Sequence, residues 1–480
     1  MSQQKFVDRK EELKILNDDY SRTGSSLFII YGRRRIGKTE LVNRFIDKRG
    51  IYFLATNEGD KQNIQDFQRI ISNFLNDKSI NNGIYRDFYS LFSMLINNVA
   101  FREKASKNKL IIAIDEFPHL IEGNKSIPSI FQKIYDVLLK NTNIVLILSG
   151  SSITMMENNV LSYRSPLYGR RTGQIKLKPI KFRYIKDFVN YNFEDLCKIY
   201  FILGGIPEYL LKINDKLTFN ENILNNIIYK GSPLYEEAEF LLRIELRETR
   251  NYMLILRSIA DGYHTVGEIN SYTDMDKSMV SKYIDVLLSL ELISYEIPFG
   301  ETEKFRKRLY YINDSYLKFW FKYILPNKND IENSNYSDVL KKIDNNFSKF
   351  AGEQFKYLMR ELIMDGILGK SFNNISRWWG KIGSNRGKNT EEIDIVAYSN
   401  IRNEVLFAEC KWTNKRVSKK FIENLKYKSG ELLKKYQNSK ITYAIFSRSG
   451  FDFDVKLLDK NIIAMDLNDI EKNYLIIYRD

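Results

Sequence analysis

Three groups of residues in this 480-residue chain have types and spacings that can carry chemistry. The first is Gly32-x-x-x-x-Gly37-Lys38-Thr39, which follows the apolar run Leu27-Phe-Ile-Ile-Tyr31 and precedes Glu40-Leu-Val-Asn-Arg-Phe-Ile. Glycines at those two places let a backbone wrap a phosphate, and loop N–H groups followed by a helix N-terminus present fixed positive dipoles to it. Arg33, Arg34, Arg35 and Ile36 complete the loop that would cradle the phosphates. Lys38 would reach the β- and γ-phosphates, and the Thr39 hydroxyl would ligate Mg²⁺. This is the phosphate-binding P-loop pattern in every required position, so ATP and Mg²⁺ are the expected cofactors.

The second group is Leu110-Ile-Ile-Ala-Ile-Asp115-Glu116, an apolar strand ending in two acids. This is the Walker B arrangement: downstream of a P-loop, Asp115 would hold Mg²⁺ directly or through water, and Glu116 would polarise the attacking water. Asn143-Ile-Val-Leu-Ile-Leu-Ser149-Gly-Ser-Ser is a further buried strand. Ligands sit beyond the carboxyl ends of parallel strands, which puts Ser149 where a γ-phosphate sensor belongs, or else in a turn of small residues. Arg170 and Arg171, on the glycine-bounded loop Ser165-Pro-Leu-Tyr-Gly-Arg-Arg-Thr-Gly, are either fingers for a neighbouring subunit's phosphate or a solvated charge pair. As fingers they require a homo-oligomer.

The third group lies near the C-terminus. Glu392-Ile-Asp394-Ile-Val-Ala and Glu404-Val-Leu-Phe-Ala-Glu409-Cys-Lys411 read as two strands after the glycine-rich basic turn Gly383-Ser-Asn-Arg-Gly-Lys-Asn. Side chains alternate across a strand, so Glu409 and Lys411 share a face, and Asp394 can meet them from the partner strand. Two carboxylates and a lysine at one point can bind Mg²⁺, activate water and stabilise charge on a phosphodiester. Glu353, off the apolar face of the helix Phe350-Ala-Gly-Glu-Gln-Phe-Lys-Tyr-Leu-Met-Arg-Glu-Leu, is a fourth metal-ligand candidate. Glu-x-Lys alone is common on surface hairpins, but Glu409 stands in an otherwise apolar strand, where an unpaired buried charge is costly.

The elements that must position these groups fill roughly three domains on the length prior. Apolar residues make up 44% and charged residues 28%, a globular balance. The excess of 74 Lys+Arg over 60 Asp+Glu suits an anionic partner, nucleic acid before a membrane surface, and equally a solubility surface. Two cysteines exclude a disulfide framework or zinc cluster, and two histidines exclude most His-based metal sites. There is no apolar signal core at the N-terminus and no apolar run near the length of about 18 residues that a span needs, so a soluble cytoplasmic protein is expected. Asp8 is expected to cap a helix from Lys10. Residues 251–312 carry helix, helix, turn and helix, with Val280, Ile284, Leu287 and Leu288 as an apolar stripe, followed by a two-stranded hairpin. That is a winged helix-turn-helix pattern. Ser278, Ser281 and Lys282 on its last helix, and Lys304, Arg306, Lys307 and Arg308 on its wing, suit phosphate contact, although such modules also pack against proteins.

Phe-Val-Asp-Arg near the start, Gly-Arg-Arg-Arg-Ile-Gly-Lys-Thr, Ile-Asp-Glu-Phe, Leu-Ser-Gly-Ser-Ser, Leu-Tyr-Gly-Arg-Arg and Leu203-Gly-Gly-Ile-Pro-Glu-Tyr209 together resemble the prokaryotic AAA+-related, STAND-like ATPases often called archaeal-type ATPases. The resemblance spans nearly the whole chain. It implies an α/β fold: a parallel P-loop NTPase sheet (1–178), a helical lid (179–248), the winged helix (249–312), a connector (313–346) and a C-terminal α/β domain of restriction-endonuclease-like type (347–480). It also implies that Phe6, Val7 and Arg9 lie against the adenine, the alternative being a capped surface helix, and that Pro207 faces the nucleotide, the alternative being a helix break. The expected function is an ATP-hydrolysing switch acting on DNA through a Mg²⁺-dependent nuclease-like domain. A regulatory ATPase whose last domain only binds DNA or a protein is the second reading, and a protein-remodelling module the third.

Overall fold

Every residue of β1 (Ser26–Tyr31) is buried, as a strand with no polar alternation and both faces covered requires. With β2 (Gly50–Leu54), β3 (Leu110–Asp115), β4 (Ile144–Gly150) and β5 (Gly173–Lys176) it forms a sheet of order β2-β3-β4-β1-β5, parallel throughout. Parallel neighbours need crossovers, and helices such as Lys38–Ile46, Asp60–Leu75 and Phe117–Gly123 lie in them. The order has a chemical consequence. Because β4 runs between β1 and β3, three adjacent strands deliver the glycine loop, Asp115-Glu116 and Ser149-Gly150-Ser151 to one edge of the sheet.

This computed structural model describes residues 6–246, 248–382 and 390–479. The chain folds as two units, Met1–Pro179 and Ile180–Asp480. In the first, helices pack on the sheet through a chain of phenylalanines: Phe53 stacks on Phe67 at 4.8 Å, Phe67 meets Phe92 at 5.6 Å, and Phe88, Phe92 and Phe117 all meet Phe131. Phe117 follows Glu116 directly, so this core fixes where the candidate catalytic carboxylate leaves the sheet. One expectation needs correction. The helix Lys10–Tyr20 carries no side-chain cap; Arg9, in the left-handed region, stands at its N-cap in place of Asp8.

The second unit begins with helices, including Phe193–Leu203 and Glu237–Glu245. Helices Thr249–Ala260, Val266–Thr273 and Lys277–Ser289 then lead into the antiparallel ribbon of β6 (Ile293–Glu296) and β7 (Leu309–Ile312). Thr265 and Glu268 cap the second of these helices reciprocally, and Val280, Ile284 and Leu287 form the buried stripe of the third. Next, β8 (Asn374–Gly380), β9 (Glu391–Ser399) and β10 (Glu404–Lys411) make an antiparallel meander, while β11 (Lys440–Ser447) and β12 (Ile462–Asp466) add to it in parallel. Helices Tyr336–Met364 and Lys420–Leu433 pack on this sheet.

One detail departs from expectation. The helix expected at Phe350 starts at Tyr336, inside the stretch assigned to a connector, and runs for 29 residues. Arg377-Trp-Trp-Gly380 belongs to a strand, and Leu467–Arg479 is a helix. The turn at residues 383–389 lies outside the described residues. Among the described residues no helix is long and apolar enough to cross a membrane.

Phe131 is fully buried at the centre of the aromatic chain. Phe131→Ala is expected to cost about 3–5 kcal/mol of stability, the usual range for emptying a phenylalanine site in a core. Chemical denaturation of the full chain measures it, and a cost below about 1 kcal/mol would show that the core collapses around the gap.

Candidate nucleotide site and carboxylate–lysine cluster

Gly32 follows β1 with φ 150°, and a Cβ there would stand 2.5 Å from the Leu177 carbonyl oxygen. No other residue fits so close an approach. Gly37, at φ 88°, then opens the helix Lys38–Ile46. The Lys38 ammonium donates to the carbonyls of Gly32 at 3.0 Å and Arg33 at 2.8 Å, so the loop curls around its own lysine. Arg9 braces the loop from behind. Its guanidinium donates to the carbonyls of Ile36 at 3.0 Å and Lys178 at 2.8 Å, and it pairs with Glu12 at 3.1 Å. The structure therefore gives Arg9 a bracing contact, while Phe6 lies under the Arg44 guanidinium at 5.5 Å.

The Thr39 hydroxyl donates to Asp115 Oδ2 at 2.6 Å, and the Tyr52 hydroxyl reaches the same oxygen at 2.9 Å. The other oxygen accepts the Glu116 N–H at 3.0 Å. Burial first, and the charge of Asp115 second, push the Tyr52 phenol above its ordinary range, so it stays a donor. Glu116 sits at φ 51°, a left-handed conformation that costs energy in a residue other than glycine and clusters at functional sites. Its carboxylate accepts from the Ser151 hydroxyl at 2.7 Å and the Ser151 N–H at 3.3 Å. Ser149 is fully buried, and its hydroxyl has no hydrogen-bond partner among the described residues. Of the two serines at the end of β4, then, it is Ser151 that touches the other candidate residues. Arg170 grips both oxygens of Asp136 at 3.0 and 2.8 Å, and Arg171 donates to the Leu161 carbonyl at 3.2 Å. Both arginines are engaged within their own unit.

In the second unit, Gly205 explains the Gly-Gly-Ile-Pro turn by packing. A Cβ there would lie 1.7 Å from the Ile180 carbonyl oxygen, and Pro207 simply opens the helix Pro207–Leu210.

The β9–β10 register pairs Ile395 with Ala408, so one step further Asp394 and Glu409 come opposite each other on one face. Both are nearly inaccessible, and cations accompany each. Asp394 accepts the Cys410 N–H at 2.9 Å and pairs with Lys356 at 3.0 Å. Glu409 pairs with Lys411 at 2.7 Å and Lys428 at 3.4 Å. Burial alone would raise Asp394, but Lys356 and Lys411 outweigh it and hold the carboxyl below its usual range. At Glu409 burial and then the charge of Asp394 prevail over Lys411, and the carboxyl is pushed up. Two carboxylates whose affinities for a proton are driven apart are what acid–base work needs.

Glu353 pairs with Lys356 at 3.1 Å, so a lysine stands between it and Asp394. Among the described residues no group of three or more Asp, Glu, His or Cys side chains is placed to hold a metal ion. The expected trio of Glu353, Asp394 and Glu409 is thus not gathered as a ligand set; Asp394 and Glu409 alone share the face. Lys356 and Lys428 were missed in the sequence, where they read as the ordinary polar faces of helices.

A parallel sheet in this order, with a glycine loop closing on lysine and a threonine bonded to the aspartate two strands away, defines the P-loop ATPase class. Residues 6–213 match a family described as an ATPase domain predominantly from Archaea, and residues 320–423 match one described as archaeal and bacterial proteins of unknown function. The uncharacterized protein MJECL04 of Methanocaldococcus jannaschii is 39% identical over 432 residues, 88% of this chain and 92% of that one. The uncharacterized ATP-binding protein MJ0423 of the same organism is 46% identical over 46 residues, 10% of this chain and 78% of its own. The Walker-type ATPase PABY2304 of Pyrococcus abyssi shares the fold, with a TM-score of 0.50 at 22% identity over 66% of this chain and 96% of its own. The chain belongs to the archaeal P-loop ATPase family.

Ser151→Ala removes the hydroxyl that orients Glu116 and leaves the nucleotide loop untouched. The turnover number for ATP is expected to fall about tenfold with KM changed less than twofold, the pattern of an interaction that matters in the transition state. Steady-state hydrolysis measures both.

Proposed function

We propose that the chain is an ATP-hydrolysing enzyme that acts on DNA, with Mg²⁺-dependent phosphodiester cleavage at Asp394, Glu409 and Lys411. In the first unit Lys38 and the loop amides hold the phosphates, Thr39 and Asp115 hold Mg²⁺, and Glu116 polarises the attacking water. The donor chemistry fits, since the Thr39 hydroxyl and Asp115 carboxylate already converge at 2.6 Å. Thr39 and Asp115 would hold Mg²⁺ there, and its charge would offset the charge developing on the phosphate.

The observation that carries the DNA reading is the opposed buried pair Asp394 and Glu409 with Lys411 two residues on. Two carboxylates plus substrate oxygens suffice for Mg²⁺, and the lysine supplies positive charge to the scissile phosphate. A helix, an antiparallel meander, a second helix and a parallel strand, in that order, favour the restriction-endonuclease-like assignment. The helix-and-ribbon segment supports a winged helix that adds phosphate contacts: Ser278, Ser281, Lys282, Lys304, Arg306 and Lys307 are all exposed, whereas Arg308 folds over Tyr295 at 4.1 Å. Arg170 and Arg171 would serve a neighbouring subunit only after leaving their present partners.

One observation favours the second reading, a regulatory ATPase that binds without cutting. Lys356, Lys411 and Lys428 already neutralise the carboxylates, and among the described residues no third ligand joins them.

Cleavage of single-stranded, duplex and branched DNA with Mg²⁺ or Mn²⁺, with and without ATP, separates the two. Wild type is expected to cut. Asp394→Asn and Lys411→Ala should each lower the cleavage rate at least 100-fold while ATP hydrolysis stays within twofold, and Lys38→Ala should abolish hydrolysis. ATP hydrolysis without cleavage of any substrate would overturn the nuclease reading and leave the regulatory one.

A further inference from the structure

A cavity of about 240 Å³ opens in the second unit where helix Thr249–Ala260, β7, the helix Ser315–Phe319 with its continuation Trp320–Ile324, and helix Tyr336–Met364 meet. Lys318, Lys322 and Lys349 line it, beside apolar and aromatic walls that include Ile259, Phe350 and Tyr357. Its carboxylates are already engaged. Asp261 accepts from the Tyr272 hydroxyl at 2.7 Å, and Glu353 pairs with Lys356 at 3.1 Å. Among the described residues none of the three lysines makes an ion pair. Lys318 reaches Gln354 Oε1 at 3.5 Å and lies 4.3 Å over the Tyr357 ring. Burial brings the Lys318 ammonium down to about 8, and burial followed by the charge of Lys349 lowers Lys322 as well. Glu296, Asp314 and Glu353 attract the Lys318 ammonium, whereas Lys322 and Lys349 repel each other across the cavity until an anion joins them.

We propose that this cavity is a second phosphate site, in which Lys318, Lys322 and Lys349 bind the phosphate of a nucleotide-sized phosphomonoester and the aromatic wall takes its base. A phosphate dianion offers charge-assisted hydrogen bonds to all three ammonium groups. Apolar contact with the cavity wall tolerates any base, so the site selects the phosphate more than the sequence. The same chemistry is presented by a free nucleoside monophosphate and by the 5′-phosphate end of a nucleic-acid strand. The site is independent of whether Asp394 and Glu409 cleave anything.

The test uses the full chain carrying Lys38→Ala, which weakens the P-loop's own grip on phosphate. Calorimetric titration with AMP, and with one short oligonucleotide in 5′-phosphorylated and 5′-hydroxyl forms, is repeated after adding Lys318→Met or, separately, Lys349→Glu at an exposed position. AMP binding that weakens at least fivefold in both variants identifies a free nucleotide as the ligand. A preference for the 5′-phosphorylated strand that is lost in both identifies a strand end. Absence of both AMP binding and 5′-phosphate preference, or a change below fivefold in Lys349→Glu with its unfolding midpoint intact, would overturn the proposal.

Discussion

The hydrogen bond from the Thr39 hydroxyl to Asp115, at 2.6 Å, is the contact on which the rest of the first unit depends. It joins residues 76 apart in the chain and two strands apart in the sheet, and it exists only if β4 holds β1 and β3 at the right spacing. That spacing rests on strands buried on both faces, which the phenylalanine chain around Phe131 keeps dry. The loop side of the contact is held from behind by Arg9, whose bonds to Ile36 and Lys178 replace a helix cap with a brace. Packing, bracing and the glycine turn therefore all serve one geometry: a hydroxyl and a carboxylate meeting at the mouth of the loop.

The second unit solves a different electrostatic problem. Burying Asp394 and Glu409 on one face without partners would cost several kcal/mol per charge. Lysines from two helices, Lys356 and Lys428, come over the sheet to meet that cost, together with Lys411 from the strand itself. Removing one ammonium would leave a buried charge uncompensated. For that reason a stability measurement belongs beside any activity measurement on these residues.

Much of this was legible in the sequence, because the strands of the first unit are unbroken apolar runs and the glycine loop admits few other residue types. Strand alternation placed Glu409 and Lys411 on one face and let Asp394 meet them from the partner strand, while the register that sets Asp394 opposite Glu409 came from the structure. What escaped had weaker local signals. β8 reads Asn-Ile-Ser-Arg-Trp-Trp-Gly, and only Trp378 in it is buried, so it lacks the alternation of a half-buried strand. Ser151 and Ser149 are both small hydroxyl residues two apart; which one meets Glu116 is decided by the left-handed turn at Glu116, which no local pattern announces. Lys356 and Lys428 matter because of what lies across the sheet, and helical periodicity alone assigns them to solvent. Asp8 looks like a helix cap by residue type, but Arg9 stands at the N-cap in the left-handed conformation with its guanidinium on the loop, and no side chain caps the helix.

The two carboxylate centres also differ in what they leave for a cation. Asp115 is oriented by neutral donors, the hydroxyls of Thr39 and Tyr52 and the Glu116 N–H, so its full charge remains to attract a metal ion. Asp394 is oriented by an ammonium group, so a metal ion there must compete with a charge already in place. The competition is softened by the surroundings of Lys356, which also lies 3.1 Å from Glu353 and 3.5 Å from Glu392. On giving up Asp394 that lysine keeps two carboxylates. In the proposed metal site Glu353 would receive the displaced lysine, a part compatible with its position off the apolar face of the helix and with the lysine that stands between it and Asp394.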